Sequence, residues 1–248
     1  MFPMQRNEIS VDNTTLLSTF IYKIANERLF SREEYRVPTK IDPYYLSDDH
    51  AIKLGERLKH PFILKRIVGQ SALGKNAITA LSKGLAKAGT WMNTGEGGLS
   101  EYHLKGNGDI IFQIGPGLFG VRDKEGNFSE GLFKEVAQLS NVRAFELKLA
   151  QGAKTRGGHM EAEKVNEEIA KIRNVEPYKT INSPNRYEFI HNAEDLISFV
   201  DQLQQLGQKP VGFKIVVSKV SEIETLVRTM VELDKYPSFI TIDGGEGG

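Results

Sequence analysis

The sequence contains no cysteine, so it can build no disulfide, thiolate nucleophile, zinc–thiolate site or iron–sulfur cluster. It has no excess of either charge, because 32 Lys+Arg stand against 32 Asp+Glu. A protein that holds nucleic acid by neutralising phosphates needs a basic face, and this balance argues against one. No apolar run reaches the roughly 20 residues that span a bilayer. The opening ten residues lack the charged-then-apolar pattern of a secretory leader. These absences predict a cytoplasmic protein with neither membrane nor nucleic-acid partners. What is present is ordinary: 40% hydrophobic and 26% charged residues over 248 positions, enough for a sizeable core. That length fits one or two domains, a single barrel included.

Residues 1–58 read as an N-terminal helical and irregular extension. Leu16, Leu17, Phe20, Ile21, Ile24, Ala25 and Leu29 recur at helical spacing over roughly 14–30. Pro38 and Pro43 punctuate the irregular stretch after that helix. Lys23 and Arg28 are too few for a membrane-binding face, so this helix is expected to pack on the next domain. From residue 59 to 248 short β-rich runs alternate with helical patterns. The strand runs are Phe62–Val68, Thr90–Asn93, Ile110–Ile114, Ala144–Leu149, Val211–Val217 and Phe239–Ile242. The helices are Leu73–Ala88, Ser129–Leu139, Ala193–Leu206 and Ser221–Leu233, the last with a capping box at Ser221–Glu224. Such alternation predicts an α/β fold with a parallel sheet, either doubly wound or a (β/α)8 TIM-type barrel.

Half of the 24 glycines stand just after strand runs, at 95–98, 115–117, 152–158 and 244–248. In parallel α/β proteins those loops form the ligand face. None has the G-x-G-x-x-G or Walker spacing, which disfavours a Rossmann enzyme. Within the strands, Glu146 and Lys148 lie opposite Phe145, Leu147 and Leu149, and Lys214 lies opposite Phe213 and Ile215. Helices would cover the apolar faces, leaving these polar groups to point into a barrel, where charge is costly unless paired or met by a ligand. Mutual neutralisation of Glu146 and Lys148 is one way to meet that cost. Lys154, Arg156 and His159 make a cationic loop suited to an anionic substrate. No metal-ligand spacing surrounds His159, and no metal site is expected.

Ordered motifs carry the reading further. Ser71–Gly74, Asn93–Gly98, Gln113–Val121, Glu146–Lys154, Ile169–Arg173, Ser183–Asn185, Phe213–Val216 and Asp243–Gly248 together resemble the FMN-binding domain of the glutamate synthase family, over roughly 60–248. Lys154–His159 resembles the shorter, stand-alone type. The resemblance implies a (β/α)8 barrel with FMN at its carboxyl-end loops. There 2-oxoglutarate and ammonia would condense to 2-iminoglutarate, and reduced FMN would deliver hydride to give L-glutamate. It implies Lys214 at the flavin ring as a fixed cation, with Gln113 as a hydrogen-bonding partner and Ser71 and Asn93 in loops around the cofactor. Glu96, Lys154 and Arg173 would line the 2-oxoglutarate site, with His159 beside them where the large enzymes have glutamine. Catalytic roles fall to Glu96, Lys154 and Lys214. Ferredoxin or an NADPH-linked reductase would supply electrons, and the cluster cysteines of the large enzymes have no counterpart here.

About six strand runs are present where the barrel needs eight, so the expectation is an incomplete barrel, a fragment inactive alone. The usual phosphate loops come after strands seven and eight. Two alternatives are a catalytically silent barrel remnant and an FMN oxidoreductase acting on another oxo acid.

Overall fold

The computed structural model describes residues 70–89, 91–151 and 158–243. The N-terminal helix, the first strand run and Lys154 lie outside the described residues. Helix α1 (Gln70–Lys87) leads into β1 (Trp91–Asn93), a single-turn α2 (Glu101–Leu104), β2 (Asp109–Ile114), α3 (Glu130–Gln138) and β3 (Val142–Lys148). Next is an excursion made of β4 (His159–Met160), α4 (Glu167–Arg173) and β5 (Ile181–Asn182). Then come α5 (Ala193–Gly207), β6 (Val211–Ile215), α6 (Val220–Leu233) and β7 (Ile240–Ile242). Five of the expected runs are therefore strands, and they form one sheet in the order β1-β2-β3-β6-β7 with every neighbour parallel. Strands β4 and β5 pair antiparallel, apart from that sheet.

Period-two alternation decides what each face meets. Ile110, Phe112, Ile114, Phe145, Leu147 and Phe213 join Phe133, Leu196, Val200, Leu203 and Met230 of the covering helices in one buried core. The Phe133 and Phe145 rings lie 4.5 Å apart, and Phe112 meets Phe145 edge-on at 5.9 Å. Each such side chain contributes about 1.5–3 kcal/mol by leaving water. Helices α3, α4 and α5 each start on a side-chain acceptor. Ser129 Oγ takes the Leu132 amide, Asn166 Oδ1 that of Ile169, and Asn192 Oδ1 that of Asp195. Helix α6 corrects the expected capping box. It begins at Val220 after Lys219, and Glu222 reaches back to the amides of Lys219 and Ser218. Ser221 is already inside the first turn.

The other face of the sheet carries Asn93, Gln113, Glu146, Lys148, Lys214 and Thr241, all buried. Neighbouring strands are about 4.8 Å apart, so in a flat sheet β1 and β7 would each stand about 9–10 Å from β3. Yet Glu146 on β3 accepts hydrogen bonds from Asn93 of β1 at 2.9 Å and Thr241 of β7 at 2.6 Å. The sheet is curled around that carboxylate into a half-barrel, concave and polar inside, convex and apolar outside. No helix among the described residues is long and apolar enough to cross a membrane.

Candidate functional site

The concave face is organised around Glu146, which is fully buried. One carboxylate oxygen accepts from Asn93 Nδ2 at 2.9 Å and Gln113 Nε2 at 2.7 Å, and the other from Thr241 Oγ1 at 2.6 Å. Each donor comes from a different strand. Asn93 then turns its own oxygen to the Gly95 amide at 2.9 Å, which ties the first glycine loop to the sheet. Gln113 Oε1, by contrast, is buried without a hydrogen-bond partner among the described residues. One residue pair further along, the register sets Lys148 beside Lys214 and Lys214 beside Thr241. Lys214 is 1% exposed and its Nζ lies 3.4 Å from Asp243 Oδ2.

Above this layer the loops add charges. Lys148 Nζ pairs with Glu96 Oε1 at 2.9 Å and also donates to Gln151 Oε1. Glu96 fits there because residue 115 is glycine: a Cβ at Gly115 would stand 2.6 Å from Glu96 Oε2 and 2.8 Å from its Cβ. Arg173, at the end of α4, stacks its guanidinium 4.6 Å from the centre of the Phe119 ring. Burial lowers its pKa, and the Glu96 charge opposes that shift. Tyr187 is buried between the ends of β2 and β3. Its hydroxyl donates to the Ile114 carbonyl and accepts the Lys148 amide. Burial and the Glu96 charge raise its pKa well above the ordinary phenol value, while the Lys148 amide works the other way, so the phenol stays protonated and able to donate.

The residues expected from the sequence fall in three groups. Asn93, Gln113, Lys214 and Glu96 share the concave face and its rim, with Arg173 close enough to Glu96 to sense its charge. Ser71, expected in a loop, instead lies in a helical turn of α1 just before the backbone breaks at Gly74, where φ is 73° and ψ 164°. Lys154 lies outside the described residues. His159 stands apart from the buried network: it is exposed on β4, with Nδ1 2.7 Å from Asn182 Oδ1 and Nε2 2.8 Å from Glu161 Oε1. The Asn182 hydrogen bond and then Glu161 raise its pKa. An NMR titration should therefore place its midpoint above the ordinary histidine value, and Glu161→Gln should lower it. What little stability this adds is present at acid pH and lost as pH rises through the folded-state midpoint.

Lys148, Glu146, Thr241 and Asp243 join the site without having been assigned a role from the sequence. Their alternation with apolar neighbours, Thr241 and Asp243 lying opposite Ile240 and Ile242, was the available signal for all four. A cavity of about 430 Å³, lined by Leu99, Phe112, Val136, Leu139 and Ile172, belongs to the convex side, behind Phe112. Among the described residues no group of three or more His, Asp and Glu could hold a metal ion.

Comparison with known proteins points the same way. A family model described as the conserved region in glutamate synthase matches residues 5–248. The glutamate synthase large subunit-like protein YerD of Bacillus subtilis is 54% identical over 255 residues, covering 100% of this chain and 49% of that protein. The archaeal glutamate synthase [NADPH] of Methanocaldococcus jannaschii is 33% identical over 180 residues, 71% of this chain and 32% of its own length. The ferredoxin-dependent glutamate synthase 2 of Synechocystis is 28% identical over 224 residues, 82% of this chain and 14% of its own. The chain thus spans about half the length of the Bacillus relative and less of the others. A match across nearly every residue, joined to the half-barrel with its inward-facing Asn93, Gln113 and Lys214, means that this chain belongs to the glutamate synthase family.

Proposed function

We propose that the protein is an FMN-dependent oxidoreductase of glutamate synthase type, built on a (β/α)8 barrel to which these residues contribute the half-barrel. The single observation that carries the reading is the buried Gln113 carbonyl, which has no partner among the described residues. A buried acceptor left unmatched costs about 1–3 kcal/mol, and a flavin ring N–H would satisfy it. Lys214, on the same concave face, supplies a fixed cation suited to a ring that becomes negative on reduction. Gln113, Asn93, Lys214 and Ser71 would hold FMN, which when reduced supplies hydride.

The other residues act on the substrate. Arg173 and Lys154 would bind the carboxylates of 2-oxoglutarate, with His159, exposed on β4, as a further substrate contact, and ammonia would convert the oxo acid to 2-iminoglutarate. Glu96, held in place by Lys148, would give or take the proton at nitrogen as L-glutamate forms. The names of the ferredoxin- and NADPH-dependent relatives support a ferredoxin or an NADPH-linked reductase as electron donor. The activity is proposed for the whole protein, and the 248 residues alone are expected to bind FMN weakly and not to turn over.

Two measurements test this. Whole protein purified with FMN should be yellow and should reduce 2-oxoglutarate plus ammonia to glutamate. A colourless protein would favour a silent remnant, and turnover of other oxo acids but not 2-oxoglutarate would favour the second alternative. Arg173→Ala should raise the KM for 2-oxoglutarate by about 10–100-fold, with a smaller change in kcat, because a charge-assisted hydrogen bond is worth about 1.5–3 kcal/mol. An unchanged KM would remove Arg173 from the carboxylate site.

A further inference from the structure

We propose that Glu146 is a positioning residue: it fixes which end of the Gln113 carboxamide faces the pocket, so that the site recognises its flavin through a ring N–H. The proposal rests on the flavin reading but uses a residue that the reading leaves without a role. A carboxylate offers acceptors only. Facing it, Gln113 must turn its NH2 inward, at 2.7 Å, and Asn93 does the same at 2.9 Å. That orientation sends Gln113 Oε1 the other way, where no described residue partners it. Thr241 holds the second carboxylate oxygen at 2.6 Å, so the carboxylate itself cannot swing. Gln113 is fully buried, as is Glu146, and Thr241 is 8% exposed. The site is therefore left with an acceptor of fixed direction. The oxidised flavin ring carries one N–H, at N3, so among the ring atoms only that group can match an acceptor here.

The lock makes Glu146→Gln and Glu146→Met unequal. A glutamine can keep its carbonyl on Asn93 and Gln113 and present its NH2 to the Thr241 hydroxyl, preserving the arrangement. Methionine has no acceptor, and Gln113 is freed to turn. The test uses NMR on the 248-residue chain, which reads weak binding as well as tight. In the ligand-free protein, the Gln113 side-chain NH2, assigned by its loss in Gln113→Leu, should exchange with water far more slowly than surface glutamines. Fast exchange overturns the lock whether or not flavin binds, and it needs no variant that must fold.

Titration then compares FMN with an analogue whose ring N3–H is replaced by CH2. The wild-type chain should prefer FMN by about tenfold, the worth of one matched buried acceptor. Glu146→Gln should keep that ratio, and Glu146→Met should bring it within about twofold. A wild-type ratio near one, or a ratio unchanged in Glu146→Met, overturns the proposal. A protected Gln113 amide in a whole protein that binds neither flavin overturns the flavin reading and the ligand named here, which separates that failure from failure of the lock.

Discussion

Lys214→Met is expected to lower turnover of the flavin-loaded whole protein by about 10²–10³-fold, the usual loss when a preorganised charge is removed from a reacting centre. Methionine matches the stem length, so the core around β6 should stay filled and the fold should persist. What disappears is a cation 1% exposed to solvent, flanked in register by Lys148 and Thr241 and 3.4 Å from Asp243. A charge so far from water acts with little screening. Its loss should therefore appear in kcat, and also as a lower flavin reduction potential, because the reduced ring loses a counter-charge. Lys214→Arg should not rescue activity: the planar guanidinium is broader than an ammonium and cannot occupy the same space. Steady-state kinetics with a redox titration check both parts. Turnover within about threefold of wild type would mean that Lys214 is a structural ion-pair partner and no more, since a preorganised charge is worth far more than that.

Glu146→Ala should destabilise the fold by about 3–5 kcal/mol, the range for breaking a buried polar network at its hub. Three donors from three strands would lose their acceptor together. Each unmatched buried group costs about 1–3 kcal/mol, less where water can enter the space left behind. Single domains have only about 5–15 kcal/mol in total, so a urea or thermal midpoint should fall steeply. Glu146→Gln should cost about 1 kcal/mol or less, because its carbonyl serves two of the donors and its NH2 can donate to the Thr241 hydroxyl oxygen. Equal losses in the two variants would mean that side-chain volume, and not hydrogen bonding, explains the residue.

The polar interior was legible from the sequence because strand alternation is a strict two-residue rule. Glu146 and Lys148 opposite Phe145 and Leu147 could face nothing but the concave side once helices covered the other. Their partners were less legible. Mutual neutralisation was one option, yet Lys148 pairs with Glu96 from a distant loop, and Glu146 is the acceptor for three strands. Those contacts depend on curvature, which pairs residues far apart in the chain and leaves no local periodicity. The β4–α4–β5 excursion was missed because two-residue strands have no period to read, and seven residues of helix make barely two turns. Tyr187 gave no signal either. Its hydroxyl reaches Ile114 across 73 positions of sequence, by a path that the excursion sets. At α6 the helix starts earlier than the Ser221–Glu224 pattern implies, because Glu222 can bond the amides of both Ser218 and Lys219.

The carboxylate that bends the sheet also sets the order of assembly. Its bond to Thr241 joins positions 95 residues apart, whereas its bonds to Gln113 and Asn93 span 33 and 53. Closing the longer loop costs more chain entropy, and non-local contacts of this kind slow folding. During synthesis the first three strands can therefore meet around Glu146 while one of its oxygens still faces water. The interior becomes dry only when β7 arrives, so a nascent chain would pass through a stage with a wet, half-zipped seam. Pulsed hydrogen exchange on refolding protein should show the Gln113 amide protected later than those of α5, whose contacts are local.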